Sequence, residues 1–110
     1  MKDALDYARQ ALRFAERVME PEVTDLRMAW NDAYVDGQRE ARRKNASDRS
    51  REAFAYECPR NAEEAMRAAR AARRPHQTGW WAESWRVHAC ESAKRAAWCA
   101  GYAAGVSLPR

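Results

Sequence analysis

The sequence predicts an all-α protein, a compact bundle of four to five helices forming a single domain over residues 1–110. Three observations predict it. Alanine is abundant while glycine, proline and β-branched residues are few, a composition that favours helix nearly everywhere. Long stretches place their apolar residues at the helical period. Those stretches are bounded by residues that cap or stop helices. At this length a hydrophobic core forms without disulfide or metal staples.

The first helix is expected over residues 3–20. Asp3 can cap it and Asp6 sits in its first turn. Leu5, Tyr7, Ala8, Ala11, Leu12, Phe14, Ala15, Val18 and Met19 fill one half of the wheel, and charged residues fill the other, as in a helix laid on a core. Pro21 marks the boundary. The second helix, residues 22–44, groups Val23, Leu26, Trp30, Ala33, Tyr34, Gly37 and Ala41 on one face, with Met28 and Val35 opposite. After Gly37 the chain is almost wholly polar, and Asn45-Ala46-Ser47-Asp48 is the natural loop.

A short third helix is expected over residues 48–57, with Ala53, Phe54, Tyr56 and Cys58 on its apolar side and Pro59 as its stop. Asn61 and Glu64 then form a capping-box-like start for a fourth helix, residues 62–74, whose alanines line one side and whose arginines line the other. The last helix, residues 79–103, holds four of the five tryptophans. Trp81, Trp85, His88, Ser92 and Cys99 share an arc and read as core; Trp80, Val87 and Trp98 lie among the charges and read as surface. Gly101 and Gly105 mark a tight crossing or a fraying end, and residues 106–110 a tail.

The function classes narrow by chemistry. No apolar run approaches the roughly 20 residues of a membrane span, and the start MKDALDYARQ lacks a signal-peptide core, so a soluble cytoplasmic protein is expected. Cys58, Cys90 and Cys99 are odd in number and irregular in spacing, hence reduced thiols rather than a disulfide framework. Together with His76 and His88 they offer no metal-ligand spacing, and no cofactor is expected. Ser92 lies one turn after His88, but no third group or oxyanion donor accompanies the pair, so no enzyme is expected.

Charge carries the remaining functional information. The chain has a formal net charge of +4, unevenly spread. Residues 1–36 hold 5 basic and 8 acidic groups, residues 37–79 hold 11 and 6, so an acidic end and a basic middle are expected. Arg39, Arg42, Arg43, Lys44, Arg49 and Arg51 form one cluster, and Arg67, Arg70, Arg73 and Arg74 another. With Trp80 and Trp98 these are the candidate partner-binding residues, since arginine forks suit phosphate and carboxylate and exposed tryptophan supplies stacking area.

The function expected is that of a small non-enzymatic binding or inhibitor protein that occupies an acidic surface on a larger intracellular protein or nucleoprotein. A phage-encoded blocker of a bacterial defence nucleoprotein, of the anti-CRISPR kind, would have this character. Direct nucleic-acid binding through the arginine-rich middle is the alternative. A homodimer through Trp80, Val87 and Trp98 is a further arrangement the pattern allows. Cys58-Pro59-Arg60, the Ala/Arg helix 65–73, His88 and Ala100-Gly101-Tyr102-Ala103-Ala104 resemble, over half the chain, alanine-rich helical immunity proteins of bacterial toxin systems. That resemblance implies toxin neutralisation.

Overall fold

The computed structural model describes residues 2–19, 22–75 and 79–105. They form four helices, α1 (Ala4–Glu16), α2 (Val23–Arg43), α3 (Asp48–Ala72) and α4 (Gly79–Ala104). Residues 20–21, His76 and the expected tail lie outside the described residues.

Several helix ends follow from local chemistry. Asp3 caps α1 in a reciprocal box: its carboxylate accepts from the Asp6 N–H at 2.9 Å, and the Asp6 carboxylate accepts from the Asp3 N–H at 3.1 Å. α1 ends at Glu16 rather than near residue 20, and Arg17 closes it. Asn45 adopts φ 51°, a left-handed value that asparagine tolerates, and turns the chain after α2. Ser47 then caps α3, its hydroxyl accepting from the Ser50 N–H at 3.1 Å. Gly79 opens α4 at φ +58°, where a side chain would be strained.

The expected break at Pro59 does not occur. α3 runs through it as one helix of 25 residues, so the third and fourth expected helices are one. Pro59 supplies no N–H to the preceding turn, a cost of about 3 kcal/mol. Packing outweighs it, because Cys58, Ala62, Ala65 and Ala69 are buried on both sides of the proline. Asn61 is therefore no cap. It is buried inside the helix, and its amide donates weakly to the Cys99 sulfur at 3.9 Å.

α4 is the hub. It packs on α1, α2 and α3, whereas α2 and α3 barely touch each other. α3 runs antiparallel to α4, since Phe54 meets Trp98 and Tyr102 while Glu64 meets His88. α2 runs parallel to α4: Glu22 shares a groove with Glu83 and Arg86 at one end, and Ala41 meets Gly105 at the other. The result is elongated, 53 × 24 × 22 Å.

The core is largely alanine, with Leu26, Trp30, Tyr102, Cys58 and Cys99 among it. Small side chains let helix backbones approach closely. The crossing of α2 and α4 shows why glycine is required. A Cβ on Gly37 would strike the Trp98 carbonyl oxygen, and one on Gly101 would strike that of Tyr34. Gly101 and Gly105 thus mark a tight crossing. Trp30 joins α1 to α2, its indole N–H donating to the Ala8 carbonyl at 3.1 Å while its ring stacks on Tyr34.

Candidate functional site

The basic middle of the sequence does not make one patch. Because α3 is continuous, it carries its two arginine groups to opposite ends, on the order of 30 Å apart at 1.5 Å per residue. The first cluster surrounds the α2–α3 turn. There Arg43 and Lys44 share the Glu40 carboxylate at 2.6 and 3.3 Å, and Arg51 pairs with Asp48 and is mostly covered. The Arg43 hydrogen bond, with help from Lys44 and against partial desolvation, holds the Glu40 carboxyl down to about 2. Arg39, Arg42 and Arg49 are exposed and carry no ion pair among the described residues. Neither is an acidic end formed. The acidic residues of α1 and α2 run along the molecule, with Glu22 and Asp25 at the same end as Arg73.

The second group sits where α3 ends and α4 begins. Arg67 is engaged by Glu63 at 2.7 Å and Glu64 at 3.9 Å. Arg70, Arg73 and Arg74 are exposed, with no ion pair among the described residues. At the same end stand Trp80 and Trp81, 70% and 61% exposed, edge to face at 4.8 Å between ring centres. Two large aromatic rings left in water at the same end as guanidinium groups that have no ion pair among the described residues are unusual for a surface with only a structural role.

Trp81 was expected in the core. The helix wheel assigns it the arc that α3 covers further along, but Glu64 lies opposite His88, so Trp81 is level with the last residues of α3, where cover runs out. His88 is likewise not a core residue. It is half exposed, 3.2 Å from Glu64 and edge-on to the half-buried Trp85, and it makes no bond to Ser92. Trp98 is the opposite case. Expected beside Trp80 on a free stripe, it packs on Phe54 and Tyr102 and is partly buried. The proposed dimer stripe therefore loses one member, leaving Trp80 and Val87 exposed. Tyr56 and Ala53, expected on the apolar side of their helix, face outward.

Cys58 is fully buried; desolvation foremost, with Cys99 and Glu57 adding, pushes its thiol up to about 12. Desolvation also raises Cys90 and Cys99. Among the described residues no three His, Cys, Asp or Glu side chains gather as a ligand set, and no helix is long and apolar enough to cross a membrane.

The α3–α4 end thus joins Arg70, Arg73, Arg74 and Trp80, all marked by the sequence, to Trp81, which it assigned elsewhere. Comparison with protein families, with curated proteins and with solved structures finds no match, so what this end can do is argued from its geometry alone.

Proposed function

We propose that this chain is a small non-catalytic binding protein that docks the α3–α4 end onto an acidic surface of a larger partner. The observation that carries this reading is the pairing of exposed Trp80 and Trp81 with Arg70, Arg73 and Arg74 at one end, exposed and without an ion pair among the described residues. Tryptophan and arginine are the residues most often found at the energetic centre of an interface, where burial of the ring and a fork onto carboxylate or phosphate add specificity to area. A protein or nucleoprotein target suits the mixed character, and a blocker of a bacterial defence nucleoprotein is the form this activity would take.

Capture from a host lysate with and without nuclease separates a protein partner from nucleic acid. Under this reading, capture survives nuclease and is lost in Arg73→Glu/Arg74→Glu and in Trp80→Ala/Trp81→Ala. Unchanged capture by both variants, with native circular dichroism, overturns it.

Direct nucleic-acid binding is the second reading, supported by the same stacking and guanidinium groups. It requires retention of a labelled single strand at low salt and steep loss as salt rises. A gel shift without retention at low salt removes it.

A further inference from the structure

α2 carries a stripe that the core does not use. Asp25, Met28, Asp32, Val35, Arg39 and Arg42 are spaced alternately three and four apart, and all are exposed. They lie opposite Leu26, Trp30, Tyr34, Gly37 and Ala41, the face that packs inward. At the centre Met28 and Val35 are 61% and 41% exposed. The stripe is acidic in its first half and basic in its second. None of its four charged residues is ion-paired among the described residues.

We propose that this stripe is a self-association surface, occupied by α2 of a second copy running antiparallel across a two-fold axis. The charge order selects this occupant. Reversed on itself, the stripe sets Asp25 opposite Arg42 of the second copy, Met28 against the stem of its Arg39, and Asp32 beside its Val35 and close to its Arg39. A parallel pair would oppose Asp25 to Asp25 and Arg42 to Arg42. A uniformly acidic partner would match one half and repel the other. The alternating three-and-four spacing is that of a left-handed helix pair, so the seam stays in register along the stripe.

One helix face lies near or below the roughly 1,000 Å² at which stable interfaces begin, so the dimer is weak and sensitive to salt. The stripe starts at the tryptophan end and runs away from it along α2, and it includes neither tryptophan nor Arg70, Arg73 or Arg74. Since α2 starts at that end, the antiparallel pair points its two tryptophan ends in opposite directions.

Sedimentation equilibrium of the full chain over a wide concentration range, at low and high ionic strength, tests the proposal. The wild-type mass should rise towards the dimer at low salt, with association about tenfold weaker at high salt. Arg39→Asp/Arg42→Asp makes the stripe wholly acidic, and Asp25→Arg/Asp32→Arg makes it wholly basic. Each alone should remain monomeric, and an equimolar mixture should recover dimer mass. All four positions are exposed, so circular dichroism should match the wild type. A monomeric wild type throughout the range at low salt overturns the proposal, as does wild-type association by either variant alone. Both outcomes are independent of partner capture, which the Arg73, Arg74, Trp80 and Trp81 variants read.

Discussion

The three thiols differ in accessibility and so in chemistry. Cys58 has its sulfur within reach of the Phe54 and Ala96 carbonyls at 3.7 and 3.6 Å, is wholly buried, and is held protonated by desolvation. Cys90 is only half-buried. Titration with a thiol reagent should modify Cys90 first and reach Cys58 only on unfolding; rapid modification of Cys58 in the folded protein would contradict its placement. Glu40 gives a pH prediction. Its carboxyl is depressed from 4.5 to about 2, chiefly by the Arg43 hydrogen bond. A depressed pKa stabilises the folded state above the ordinary value, and that contribution is lost as pH falls from about 4.5 through 2. Exposure keeps it small. Glu40→Gln should therefore flatten the decline of Tm between pH 5 and pH 2, and an unchanged slope would show that Glu40 is not a contributor.

Helix crossing rather than helix propensity decides stability at the level of elements. α2 and α4 touch backbone to backbone at Gly37 and Gly101, so Gly37→Ala or Gly101→Ala gains helix propensity, up to about 1 kcal/mol, but forces the helices apart. Overpacking at such a site costs about 3 kcal/mol, and the crossing term wins. Urea midpoints should fall for both variants; a rise in either would mean that the helices can separate freely. Trp30 holds the other junction. Trp30→Ala should cost roughly 3–5 kcal/mol, from the lost ring and its cavity, while Trp30→Phe should cost less because the stacking volume on Tyr34 is largely kept.

At the scale of the molecule, the placement of charge follows from the placement of ends. A chain with its basic residues in mid-sequence folds so that the α2–α3 turn lies at one end and the close of α3 and start of α4 at the other. Charge reversal at Arg42/Arg43 should therefore leave partner capture by the tryptophan end intact, and reversal at Arg73/Arg74 should abolish it. Equal loss from both would mean one extended footprint along α3. Salt should weaken capture only moderately, since burial of the two tryptophan rings persists at high ionic strength; complete loss in moderate salt would favour a nucleic-acid ligand.

The helical class, the Asp3 start, the loop at Asn45 and the inner faces of α1 and α2 were legible in the sequence, because capping chemistry and a one-sided apolar stripe are local properties. So were Arg70, Arg73, Arg74 and Trp80 as exposed groups. The continuity of α3 was not, since Pro59 and Asn61 carry strong local stop and start signals and only burial on both sides of Pro59 outweighs them. Trp81 and Trp98 were exchanged for the same reason. A helical wheel records angle and not height along the axis, and the two lie at opposite ends of α4, where Phe54 covers Trp98 and α3 stops short of covering Trp81. Local chemistry by itself determined the helical class, the start of α1 and the inward faces of α1 and α2. Only tertiary structure decided where along each helix the cover ends, because cover depends on the length and register of a neighbour distant in sequence.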